Sequence, residues 1–194
     1  REVIAPVDGL GYGPIRGAAE VERGPCKPAR SLKEFFFPDR ETLLRYALAD
    51  GRVSVSTPAE PDAPRIVWGA APCDVAALAI LNPLFSWDYL DATYLRHRER
   101  TVLVSLACEE PEEACFCTSV GGSPMGTEGA DLLLTPLGEV YHVQIVTSRG
   151  RALVEELAEF FGPSDEAIER RRAAAEEASV ARVTRRVSTE GLQE

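Results

Sequence analysis

The stretch from residue 65 to residue 106 constrains the fold more than any other. The apolar run Arg65-Ile66-Val67-Trp68 reads as a buried strand, and Gly69-Ala70-Ala71-Pro72-Cys73 turns out of it. Asp74 can then cap a helix over Val75-Ala76-Ala77-Leu78-Ala79-Ile80-Leu81. The second apolar run, Thr101-Val102-Leu103-Val104-Ser105-Leu106, has the strongest strand character in the chain. Strand, helix and strand in that order predict an α/β fold, a mixed sheet with flanking helices.

The flanking sequence supplies further elements. Glu2 to Val7 can open a strand, and Asp8-Gly9-Leu10-Gly11-Tyr12-Gly13-Pro14 reads as a turn-rich loop. Its glycines do not follow the GxGxxG spacing and no strong helix comes after them, so it is not read as a phosphate loop. Ser31 to Pro38 is an apolar anchor ended by proline. A helix is expected from there through Leu48, because Leu43, Leu44, Ala47 and Leu48 fall on one helical face. Arg52-Val53-Ser54-Val55-Ser56 alternates like a half-buried strand, and Thr57 to Pro64 is an exposed connector. Gly129 to Thr135 and Glu139 to Val146 predict a hairpin. Gly150 leads into a helix through Phe161, stopped by Gly162-Pro163. Ser164-Asp165-Glu166 caps a last helix, charged nearly all round, which reads as a surface arm or connector. The expected organisation is one α/β domain over residues 1–162 and a carboxy-terminal helical arm over 163–194. With no initiator Met and a polar ending, the chain reads as a piece of a longer polypeptide.

Charge narrows the function classes. A formal net charge of −10 repels nucleic acid and anionic membrane surfaces. No run has the length of a membrane-spanning helix and the amino end lacks a signal-peptide pattern, so a soluble, cytoplasmic protein is expected. The aromatic stretch Phe85, Trp87, Tyr89 and Tyr94 reads as a core edge or a partner surface. Leu95-Arg96-His97-Arg98-Glu99-Arg100 could receive an acidic partner, with His97 simply exposed, while His142 reads as structural within its strand.

The chemistry rests on cysteine. The chain has 5, an odd number with a Cys-x-Cys pair, which suits a reducing compartment better than a disulfide framework. Cys26 reads as an isolated thiol. Cys73 follows the first apolar run and Cys108 the second, while Cys115 and Cys117 lie in the loop beyond. A helix amino end at Cys73 would favour its thiolate. In an extended loop Cys115 and Cys117 would face the same side with Cα atoms about 6.6 Å apart. Two sulfurs on one tetrahedral zinc are only about 3.8 Å apart, so an extended pair suits two irons slightly better. If the two strands are neighbours, Cys73, Cys108, Cys115 and Cys117 could together hold an Fe–S cluster or a zinc. Two other readings stay open: small packing residues with an incidental pair, and thiol redox chemistry without a CxxC motif. The carboxylates Glu109, Glu110, Glu112 and Glu113 would raise a nearby thiol's pKa and oppose Cys108 as a nucleophile. No HExxH, GxSxG or P-loop pattern occurs.

Several motifs occur in a familiar order: Pro72-Cys73-Asp74, Tyr94-Leu95-Arg96-His97-Arg98-Glu99, Ala107-Cys108-Glu109-Glu110-Pro111, Cys115-Phe116-Cys117-Thr118-Ser119 and Gly129-Ala130-Asp131-Leu132-Leu133-Leu134-Thr135. Together they resemble the amino-terminal region of the 4Fe-4S dicluster proteins, which include the β subunit of soluble sulfhydrogenases and the A subunit of anaerobic sulfite reductase. The resemblance spans most of residues 2–162. Ala71 stands where that family has Arg, and Asn82 where it has Asp. The family's ferredoxin-like half with its CxxCxxCxxxCP motifs is absent from this sequence. The resemblance implies an electron-transfer subunit with 4Fe-4S clusters in that other half, and a partner subunit carrying flavin or a catalytic metal centre. The alternative is a non-redox interaction module whose thiols pack or bind structural zinc.

Overall fold

The computed structural model describes residues 1–7, 10–22, 28–58 and 64–191. Cys26, Asp8 and Gly9 lie outside them, so the isolated-thiol reading of Cys26 has no structural counterpart here. The centre is a six-stranded sheet, formed by β1 (Glu2–Val7), β2 (Gly11–Ile15), β5 (Arg65–Ala70), β6 (Thr101–Leu106), β7 (Leu132–Leu137) and β8 (Val140–Ile145). β3 (Arg45–Ala49) and β4 (Arg52–Ser56) form a separate two-stranded ribbon. The six strands run in the order β2-β1-β5-β6-β7-β8, with β1, β5, β6 and β7 parallel and the two edges antiparallel. This is the mixed α/β sheet expected from the sequence.

Side-chain alternation sorts the sheet into two buried faces. Ile4, Val67 and Leu103 face α1 (Pro72–Leu81) and α2 (Ala92–Arg100), packing with Val75, Leu78 and Tyr94. Val104, Leu132, Leu134, Ile66 and Trp68 face the other way and meet Leu153 of α3 (Ser148–Glu156). A strand buried on both faces needs a near-continuous apolar run, which is why β5 and β6 stood out in the sequence.

Three expectations are corrected. Gly11–Ile15 is a strand, not part of a loop; it pairs antiparallel with β1 at the sheet edge, where Pro14 costs no ladder bond. The helix expected through Leu48 is absent, because residues 45–49 pair with 52–56 across a turn whose Asp50 and Gly51 both have positive φ. That ribbon is exposed on both sides rather than half-buried. Finally, Asp74 does not cap α1. The helix starts at Pro72 with Ala71 as its cap residue, and proline's fixed φ serves the first turn. The Asp74 carboxylate instead accepts from the Ser31 hydroxyl at 2.6 Å, the Leu32 amide at 3.0 Å and the Lys33 ammonium at 3.2 Å, fastening the turn at Leu32–Phe35 to the helix.

Candidate functional site

In a parallel sheet the loops that follow the strands gather at one edge, and ligands are held there. β5 and β6 are adjacent and in register from Arg65↔Thr101 to Trp68↔Val104, so the chains leaving them emerge side by side. Cys73 is the second residue of α1, exposed at that edge, and Cys108 lies two residues beyond the end of β6. The adjacency required of their strands is therefore met. The Tyr12 phenol is buried nearby and held well above its usual pKa, first by burial, then by the Asp74 carboxylate, with Cys73 acting in the same direction.

The loop after β6 is built from short backbone turns. Ala107 donates its amide to Leu134 at 2.8 Å, continuing the β6–β7 ladder, and the Cys108 amide donates to the Pro124 carbonyl at 2.9 Å. Cys115 closes a turn onto the Glu112 carbonyl at 2.9 Å, and the Cys117 carbonyl accepts from Gly122 at 2.9 Å. Cys117 opens a 3-10 turn over Cys117–Val120, and Phe116 has ψ 21°, far from strand geometry. The extended geometry expected for Cys115 and Cys117 is thus replaced by a turn, and the same-side argument for the pair loses its premise. Among the described residues no group of three or more His, Cys, Asp or Glu is placed to hold a metal ion. The edge carries the exits of β5 and β6 that lead to Cys73 and Cys108, and Cys115 and Cys117 follow in the loop after β6.

The loop is covered from an unexpected direction. α4 (Glu166–Arg182) lies against β7 and β8, and its Ala175 packs on Ala107, Met125 and Leu133. Near its end the Ser179 hydroxyl, itself buried, donates to the Cys108 carbonyl. Arg182 donates to the Glu109 carbonyl at 2.7 Å, and Arg186 donates to the Thr118 hydroxyl at 3.1 Å. The Val187 amide donates to the Ser119 hydroxyl at 3.1 Å. Val183 is buried, and an open cleft of about 510 Å³ between loop and arm is lined by Glu113, Ala114, Thr184 and Arg185. The carboxyl of Glu109 sits above its usual pKa, first through burial and then through Glu110, with Arg182 pulling the other way. Nothing in the amphipathic pattern of α4 announced this docking, since most of its ties run from polar groups to loop carbonyls and hydroxyls.

Asp131, within the Gly129–Thr135 motif, joins three elements. Fully buried, its carboxylate accepts from the Leu103 amide at 2.9 Å, from the Thr147 hydroxyl and from Arg149 at 3.2 Å. Arg149 continues to the carbonyls of Arg98 and Glu99, at 2.9 and 3.3 Å. The Asn82 Oδ1 accepts from the Tyr94 hydroxyl at 2.7 Å and from the Arg98 guanidinium at 3.3 Å. Burial raises the Tyr94 pKa, with Arg98 opposing it. His97 is half-buried against Glu41 at 3.2 Å rather than simply exposed. Of the aromatic stretch, Tyr94 and Phe85 stack in the core at 3.9 Å, while Trp87 and Tyr89 are 84% and 77% exposed.

No helix among the described residues is long and apolar enough to cross a membrane. No family model matches the chain, and no solved structure does. The chain is similar to the sulfhydrogenase 2 β subunit of Pyrococcus furiosus, 26% identical over 129 residues, which covers 66% of this chain and 36% of that protein. The chain thus matches little more than a third of that relative's length.

Proposed function

We propose that the chain is the docking part of an electron-transfer subunit in a multi-subunit oxidoreductase of the hydrogenase or sulfite-reductase kind, working in the cytoplasm. The observation that carries this reading is the likeness to a sulfhydrogenase β subunit over two thirds of the chain. The ordered motifs from Pro72-Cys73-Asp74 to Thr135 agree with it. In this reading 4Fe-4S clusters reside in a ferredoxin-like half, and residues 1–162 seat that half against flavin-containing and catalytic subunits, with residues 163–194 leading toward it. Cys73, Cys108, Cys115 and Cys117 are the ligand set for one additional Fe–S cluster, or for zinc, and the residues from 108 to 117 would have to be drawn together to hold it. Such a cluster supplies one-electron transfer.

Anaerobic purification with iron, zinc and acid-labile sulfide analysis tests the local site. Stoichiometric iron and sulfide support it, and metal-free protein whose four thiols all alkylate freely would remove it. A second reading, a non-redox interaction module with packing thiols or structural zinc, draws on the exposed Trp87 and Tyr89 of the aromatic stretch as a docking surface. Replacing Cys115 and Cys117 by Ser separates the two. The first reading expects impaired electron transfer in the assembled complex, whereas the second expects unchanged transfer and intact partner binding.

A further inference from the structure

We propose that the carboxy-terminal arm, from α4 to Val187, is a latch that holds the cysteine loop in its present shape, so that gathering of the loop thiols is coupled to movement of the arm. The inference rests on reading that loop as the thiol site. Four successive side chains and amides of the arm clasp it: Ser179 on the Cys108 carbonyl, Arg182 on the Glu109 carbonyl, Arg186 on Thr118 and the Val187 amide on Ser119. These anchors flank Cys108 on one side and Cys115 and Cys117 on the other, and Arg186 also ties back to the Val183 carbonyl at 2.8 Å, so the arm and loop are braced as one unit. Ala175 seals the base of the loop through Ala107 and Met125. Hydrogen bonds from charged guanidinium groups are the stronger kind, and losing them leaves backbone carbonyls to be taken up by water. By linkage, whatever draws the loop thiols together must bias the arm, and whatever releases the arm must change the loop by the same free energy.

In the intact protein, alkylation by N-ethylmaleimide followed by mass spectrometry gives the rates at Cys108, Cys115 and Cys117, each as a ratio to that of an added small-molecule thiol. The paired substitution Arg182→Ala with Arg186→Ala is expected to raise those ratios at least threefold, and Ser179→Ala to raise the Cys108 ratio. Titration with Cd2+, read at the thiolate-to-metal absorption band, is expected to show at least threefold tighter binding in the paired variant, and Arg182→Lys with Arg186→Lys to return part of the difference. Unchanged relative labelling in both the paired variant and Ser179→Ala would overturn the latch. Because labelling involves no electron transfer, that failure is distinct from a failure of the subunit assignment, which is judged in the assembled complex.

Discussion

Asp131 is wholly buried, and its carboxylate is used by donors from β6, from the Thr147 cap of α3 and from Arg149. Removing the acceptor while the Leu103 amide stays buried leaves a donor unpaired, which costs more than the bond was worth. Asp131→Ala is therefore expected to destabilise the fold by about 3 kcal/mol, with Asp131→Asn losing roughly half as much because one carbonyl oxygen remains. Urea denaturation checks both. One helical turn into α3, Gly150 shows a different constraint. A Cβ there would lie 2.1 Å from the Asp131 carbonyl oxygen and 2.9 Å from Leu132, so the glycine is required by close approach of α3 to β7 rather than by its φ. Gly150→Ala is expected to cost about 3 kcal/mol in the same measurement, because backbone on both sides must move.

Among the elements, α4 is tied at its start as well as at its end. Glu169 accepts from Ser164 at 2.7 Å, lies 3.0 Å from His142 on β8 and is 3.6 Å from Arg172. Its pKa is lowered, first by the Ser164 hydrogen bond and then by His142 and Arg172, with desolvation opposing. A lowered carboxyl pKa stabilises the folded form above the unfolded value and loses that contribution as pH falls through the folded one. The first turn of α4 is accordingly expected to loosen on acidification below the ordinary carboxylate range, and Glu169→Gln to abolish that pH dependence, as read from NMR shifts of residues 166–172. The ribbon of β3 and β4 is an element of the opposite kind. Its turn depends on Gly51 at φ +71°, and its side chains are exposed on both faces. Gly51→Val should open the ribbon, seen as loss of cross-strand nuclear Overhauser contacts between Tyr46 and Val55, while changing the global unfolding free energy by less than about 0.5 kcal/mol. The sequence misread this element because Leu43, Leu44 and Leu48 satisfy a helical period over so short a window, while Leu44, Tyr46 and Leu48 satisfy a period of two equally well. The Asp50-Gly51 pair was the discriminating signal.

For the whole molecule, legibility followed burial. The strands β5, β6 and β7 carry continuous apolar runs because both faces of the sheet are covered, and their strand character could be read directly, whereas the adjacency of β5 and β6 stood only as a condition. With β5 and β6 paired in parallel, the segments that lead to Cys73 and Cys108 leave the sheet at one edge. The shape of the loop that carries Cys115 and Cys117 could not be read, since it depends on local turns and on an arm with ties to backbone carbonyls, which leave no side-chain pattern to read. The ribbon at residues 45–56 has a further consequence. Tyr46, Leu48, Val53 and Val55 share one face and are 76%, 71%, 65% and 64% exposed, so the ribbon's ladder is guarded by water alone. Its amides should trade their protons for deuterons within seconds to minutes, while those of β6 wait for the whole sheet to open. A single protein would then keep two clocks, and any companion that covers the apolar side of the ribbon would announce itself by slowing the faster one.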